Sequence, residues 1–222
     1  MCGRFAFYSP TEAAAALFGV SAPTEMQPRY NIAPTQDIAA IREDSNKQRE
    51  LLMLRWGLVP FWAKDASIGN RMINARAETV AEKPSFRAAY RHRRCLVLAD
   101  GFYEWQKQGD AKTPYFISLA SGEPFALAGL WESWNDKEVG ESLQTATLIT
   151  TMANEFMQPL HHRMPVVLQP DADDEWLAGS RELLEHATER TPKLQAWPVD
   201  RRVNNARNQG KELIDADGDI LR

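Results

Sequence analysis

The chain has 222 residues, 44% of them hydrophobic and 25% charged. This is an ordinary globular composition, in a length that buries roughly 70–75% of its unfolded surface without a disulfide or metal staple. Twenty-six Lys and Arg against 30 Asp and Glu leave a net charge of −4, which gives no general sign of nucleic-acid binding, and no apolar run approaches the ~18–20 residues of a membrane span. The N-terminus, Met1-Cys-Gly-Arg-Phe-Ala-Phe-Tyr8, lacks a signal peptide's basic start and long apolar stretch, which points to the reducing cytoplasm.

In chain order, residues 4–8 read as a short strand, followed by a helix that Ser9 caps, Pro10 and Glu12 favour in its first turn, and Gly19 ends. The segment Arg29-Tyr-Asn-Ile-Ala-Pro34 reads as extended chain with a turn, and residues 38–42 and 51–58 as paired strands around the polar loop 43–50. An irregular stretch runs to Asn70, and a short helix starts near Pro84. Strands then dominate, at residues 95–99, 102–106, 115–119, 125–131 and 145–151, with a hairpin loop over 106–113. Residues 154–159 read as a short helix, 166–169 as a strand, 171–178 and 181–188 as helices, and 194–199 as a late strand.

β-Branched and aromatic content, with breaks at Gly, Pro and Asp, favours a mainly antiparallel sheet or partly closed barrel flanked by short helices. No repeat and no linker composition divides the chain, so residues 1–222 read as one α+β domain. Charge is unevenly distributed. Between Arg71 and Arg94 seven basic residues face two acidic ones, and between Asp171 and Glu189 seven acidic residues face Arg181 alone. Two solvated faces explain this as well as a positive patch for an anionic ligand does.

Four His and two Cys provide no metal-ligand spacing. Cys95 lies in the apolar run Cys-Leu-Val-Leu-Ala and reads as a core hydrophobe. Cys2 differs, because a small residue after Met1 permits removal of that Met. The exposed terminus then carries an α-amine and a thiol on adjacent carbons, with reference pKa values of about 7.7–8.0 and about 8.5. That pair suits an aldehyde: the amine forms a Schiff base and the thiol closes on it to give a thiazolidine. A Cys at this position can equally be incidental. Glu104, in Asp100-Gly-Phe-Tyr-Glu-Trp105, shares a strand face with Phe102, and a carboxyl among aromatics is suited to exchanging protons, although a surface Glu paired with Arg is the plainer account. The loop Leu160-His-His-Arg-Met-Pro165 supplies His161 to protonate an oxygen and Arg163 to hold a phosphate, where a structural or surface His pair is the alternative. Asn74 and Arg76 add an amide and a guanidinium, and Pro34 and Trp62 offer wedge-like or flat surfaces against bases.

The ordered set Cys2-Gly-Arg4-Phe, Tyr30-Asn-Ile-Ala-Pro34, Arg55-Trp-Gly-Leu-Val-Pro-Phe-Trp62, Ile73-Asn-Ala-Arg-Ala-Glu-Thr79, Asp100-Gly-Phe-Tyr-Glu-Trp105 and His161-His-Arg-Met-Pro165 resembles the SRAP family, the SOS-response-associated peptidases, also called abasic-site-processing proteins. The resemblance runs from Cys2 to Val203-Asn-Asn-Ala-Arg-Asn208. It implies a sensor of abasic sites in single-stranded DNA that crosslinks to the ring-opened sugar through Cys2 and shields the lesion. Asn74 would hold the opened deoxyribose, Glu104 would manage protons and crosslink reversal, and His161 would assist ring opening. It further implies phosphate contacts by Arg4, Arg76 and Arg163, a backbone contact by Thr150, and a wedge of Pro34 and Trp62. Ala63 follows Trp62 where some members carry a second tryptophan. A monomer in the cytoplasm (at the nucleoid in a bacterium), without cofactor, metal or membrane, is the expected state. Two other classes stay open: a cysteine peptidase or amidohydrolase using Cys2 and His161, and a non-covalent single-strand binder.

Overall fold

The computed structural model describes residues 2–21, 26–136, 140–169 and 171–221. Runs of β-branched and aromatic residues form the strands β1 (Phe5–Phe7), β2 (Arg29–Ile32), β3 (Asp37–Glu43), β4 (Arg49–Trp56), β5 (Asn74–Arg76), β6 (Arg94–Ala99), β7 (Gly101–Gln108), β8 (Ala111–Leu119), β9 (Phe125–Asn135), β10 (Ser142–Met152), β11 (Arg163–Pro165) and β12 (Leu194–Pro198). The helices are short: α1 (Thr11–Phe18), α2 (Arg87–His92), α3 (Asp173–Leu177) and α4 (Glu182–Glu185).

Strands β10, β4, β3, β6 and β9 form a ring, because β9 pairs back onto β10. The pairings within the ring are antiparallel except β4 with β10, which is parallel and spans only Thr145 opposite Arg55 and Ala146 opposite Trp56. That short seam makes the barrel partly closed, in agreement with the expected class. Beyond the seam β10 runs on between β5, parallel to it, and β11, antiparallel, so that Thr150 stands opposite both Arg76 and Pro165. The second sheet, in the order β12-β8-β7-β1-β2, is antiparallel throughout.

The chain passes from barrel to second sheet at Asp100, between β6 and β7. Gly101 permits the passage, since a Cβ there would lie 2.2 Å from the Phe116 ring. Asp100 fastens it by accepting the backbone N–H groups of Tyr8 and Ser9, at 2.6 and 2.8 Å, and the Ser9 hydroxyl. Ser9 therefore does not cap α1, contrary to the expectation from sequence. Pro10 holds the N-cap position, with no side-chain cap, while Gly19 ends the helix in the left-handed region as expected.

One face of the second sheet, with Phe5, Phe102, Ile117 and Leu194, joins the barrel core. The other, with Ala6, Tyr103 and Phe116, is covered by Val199, Val203 and Leu213 of the C-terminal segment. Several local expectations are corrected. Residues 66–71 form a 3-10 helix capped by Asp65, residues 155–160 form turns rather than a helix, and the strand expected at 166–169 lies at β11 instead, leaving Val167 an isolated bridge to Leu127. Both late helices are shorter than expected, and the hairpin loop closes at Gln108 opposite Ala111. Among the described residues no helix is long and apolar enough to cross a membrane.

Candidate active site

Where β1 and β7 of the second sheet meet β5 and β11 beside the barrel, four of the expected residues come together. Cys2 is fully buried just before β1, with Sγ 3.8 Å from the Arg4 carbonyl oxygen. Asn74, the first residue of β5, donates from Nδ2 to the Cys2 carbonyl at 2.7 Å. Its Oδ1 is buried without a hydrogen-bond partner, an acceptor turned inward beside Cys2. Burial, and after it the charge of Glu104, push the Cys2 thiol well above its ordinary value. The resting group is a thiol, and its proton must leave as it reacts. Met1 lies outside the described residues.

Alternation along β7 turns Phe102 and Glu104 to the barrel side, as expected, and Glu104 is only 3% exposed. Its Oε1 stands 4.0 Å from Nδ1 of His161. Nδ1 also lies 3.0 Å from both the backbone N–H and the carbonyl oxygen of Arg163. A neutral imidazole accepts from that N–H when its proton is on Nε2 or donates to that carbonyl when it is on Nδ1, and an imidazolium donates to the carbonyl. His161 can thus change protonation state with Nδ1 partnered in either form. His162 stacks on it, ring centroids 4.3 Å apart, and the charge of His161 lowers the pKa of this exposed neighbour.

The residues expected to meet DNA divide into two groups. Arg76 is exposed on β5, and Trp62 is 48% exposed, with its indole N–H 3.5 Å from the Pro84 carbonyl. Pro34 sits half-buried in the turn after β2, where Thr35 takes a φ of 71° and donates to the Trp56 carbonyl. Arg4, Thr150 and Arg163 are engaged internally. Arg4 donates from Nη1 to Asn31 Oδ1 at 2.6 Å and to the Val203 carbonyl at 2.7 Å. Thr150 is buried, and its carbonyl accepts from Ala77 and Arg163. Arg163 is itself buried and forms a two-pronged pair with Glu78.

Two residues of the arrangement were not singled out from sequence. Asn31 is fully buried and gathers the carbonyls of Val203, Asn205 and Asn208. An amide between Tyr30 and Ile32 was its one local signal. Glu78 looked like one of two acids in a basic run, a pattern that says nothing of its partner. Among the described residues no group of three or more His, Cys, Asp or Glu is placed to hold a metal ion.

Nearly the whole chain is similar to known proteins. Residues 1–206 match the family described as SOS response associated peptidase (SRAP). The abasic site processing protein YoaM of Bacillus subtilis is 44% identical, over 98% of this chain and 99% of that protein. YedK of Escherichia coli, likewise an abasic site processing protein, is 34% identical over 96% and 99%. A crystal structure of a protein from Bacteroides thetaiotaomicron superposes with a TM-score of 0.84 at 26% identity, covering 97% of this chain and 99% of that one.

Proposed function

This chain belongs to the SRAP family, and from that premise we propose that it processes abasic sites in single-stranded DNA by a covalent link through Cys2. The observation that carries the proposal is the setting of Cys2: second in the chain, its carbonyl held by Asn74 and its thiol beside Glu104. Relatives named for abasic site processing support the substrate class.

With Met1 removed, the Cys2 amine adds to the aldehyde carbon of the opened sugar, and the carbinolamine loses water to leave an imine. The thiol then adds to the imine carbon. A carbon–sulfur bond forms, the thiol proton ends on nitrogen, and the product is a thiazolidine. Because the thiol begins protonated, it needs a nearby acceptor, and the Glu104 carboxylate is the group whose charge it feels. Glu104 also serves reversal, when sulfur must be reprotonated. His161 delivers a proton to the sugar oxygen as the ring opens, and Asn74 orients Cys2 and offers Oδ1 to the opened deoxyribose. Arg76, Trp62 and Pro34 form the surface that meets the strand, while Arg4, Thr150 and Arg163 hold that surface from beneath. A missing base leaves room for a bare sugar and none for an intact nucleotide.

Peptide hydrolysis through Cys2 and His161 is the competing reading. Cysteine peptidases depend on a thiol held low beside an imidazole, whereas this thiol is pushed up. Incubation with an abasic single strand should give an adduct that survives a denaturing gel, and Cys2→Ala should abolish it. An adduct persisting in Cys2→Ala would overturn the proposal, as would intact-mass measurement showing that the crosslinking species retains Met1. Cys2-dependent turnover of a peptide panel would favour the competitor.

A further inference from the structure

Arg163 follows His161 by two residues, and its side chain is only 6% exposed. Nη1 and Nη2 each donate to a different oxygen of Glu78, both at 3.0 Å. Nη2 also donates to the Thr150 carbonyl at 2.8 Å, and Nη1 lies 3.5 Å from the Met152 sulfur. Two parallel bonds fix the plane of a guanidinium as one contact does not. A DNA phosphate reaches this fork only by displacing Glu78.

Glu78 stands on the turn after β5. The neighbouring Ala77 N–H bonds the same Thr150 carbonyl, at 2.9 Å, so the Asn74 strand and the His161 loop are tied at one point. At the other end of Arg163, backbone N–H and C=O both lie 3.0 Å from His161 Nδ1. Burial pushes the Glu78 carboxyl up, but hydrogen bonds from Arg163 and its charge outweigh that and hold it below its ordinary value. The carboxylate stays ionised at neutral pH and neutralises a buried cation.

We infer that Glu78 is a positioning residue for His161, acting through Arg163: its two-pronged pair holds the Arg163 backbone, whose N–H and C=O both engage Nδ1, where it aims the imidazole ring toward Glu104. Among the described residues the ring is met by the titratable side chains of Glu104 from β7 and the stacked His162, and by the Arg163 backbone. The inference rests on the proton-delivering role proposed for His161. Without the Glu78 charge, the guanidinium must seek solvent or another acceptor, and the backbone that holds Nδ1 moves with it.

Glu78→Gln, which keeps the size and removes the charge, tests this in the full chain, with Glu78→Asp as the charge-keeping control. Nitrogen-15 NMR of the imidazoles is the first readout and needs no DNA. Wild type should show one sharp pair of His161 nitrogen shifts, and Glu78→Gln should show displaced or averaged shifts that Glu78→Asp largely restores. The second readout is the adduct-forming rate at saturating abasic strand. It should fall about tenfold in Glu78→Gln, with affinity for a strand carrying an unreactive tetrahydrofuran site held within about twofold. Unchanged His161 nitrogen shifts in a folded Glu78→Gln overturn the inference. Tighter binding of the tetrahydrofuran strand also overturns it, because Glu78 would then be a competitor of phosphate for Arg163. If Glu78→Gln does not fold, Arg163→Lys, which keeps the charge and lacks the fork, is read by the same shifts. Absence of any adduct with wild type would strike the crosslinking reading alone, and the nitrogen shifts would still decide this one.

Discussion

Asn31 links the N-terminal strands to the far end of the chain. Its Nδ2 lies 3.2, 3.1 and 2.9 Å from the carbonyls of Val203, Asn205 and Asn208, and its Oδ1 accepts from Arg4. Its own carbonyl accepts from Gln209 at 2.9 Å. Asn31→Ala would strip partners from several buried groups at once, each worth roughly 1–3 kcal/mol when left unsatisfied. The variant should lose about 2–4 kcal/mol and about 5–15 °C in Tm, read by circular dichroism melts. A loss below about 1 kcal/mol would show that the apolar contacts of Val203 and Leu213 hold the segment unaided. Sequence gave no access to this role because the carbonyls lie 172 to 177 positions away. Cys2, Asn74, Glu104 and His161 were legible as a group, through the ordered motifs that resemble the SRAP family, while singly they left plainer accounts open. The burial of Arg163 was not legible, because arginine is seldom buried and only its distant partner Glu78 shows that this one is.

Two backbones cross where the segment after β4 passes the 3-10 helix at residues 66–71. A Cβ on Gly57 would lie 2.5 Å from the Gly69 carbonyl oxygen, and one on Gly69 would lie 2.5 Å from that of Gly57. The crossing lets Gly57 N–H reach the Ala146 carbonyl at 2.8 Å and Leu58 N–H reach that of Met72 at 3.1 Å, two residues before Asn74. Gly57→Ala meets both a backbone clash and a φ of 130°, and should cost about 2 kcal/mol or more in urea unfolding. Gly109→Ala, at a hairpin turn with a φ of 60° and nothing within 4 Å, should cost only about 1 kcal/mol. Equal losses would remove the crossing as the cause. The long strands were legible from their composition, since β6 through β10 carry the expected apolar and aromatic runs. Strand β5 was not, because three residues pairing parallel with β10 leave no periodic trace. The expected helix at 154–159 failed for a related reason: so short a segment has too few internal bonds to outweigh turn geometry.

At the scale of the whole molecule, pairings between chain neighbours and a partly closed barrel were legible, but which strands close it was not, because the β4–β10 seam joins residues about 90 positions apart through two residue pairs. The two charge runs also resolve differently than their composition suggests. Arg93 pairs with Glu132, and Arg94 is buried between the Tyr90 and Trp176 rings, while Asp174 pairs with Arg49 and Glu175 with Arg190. Within the acidic run, Asp173 is 6% exposed beside Leu17, Phe18, Phe125 and Leu168, and its Oδ1 has no hydrogen-bond partner. Burial raises its pKa to about 7; Asp174 and Asp171 push the same way and Arg49 opposes them. The folded state therefore holds this proton more tightly than the unfolded chain, whose carboxyl ionises near pH 4. Below that pH both states are protonated and no penalty exists. Between about pH 4 and 7 only the unfolded state gives up the proton, so stability falls as pH rises, and above 7 the full penalty, roughly 4 kcal/mol, stands. Asp173→Asn removes the titration while keeping the shape. Its Tm should exceed that of wild type by about 5 °C or more at pH 8, with the two converging near pH 4. A gain equal at both pH values would mean that the substitution acts through packing or hydrogen bonding, and that the buried charge is not what limits stability at neutral pH.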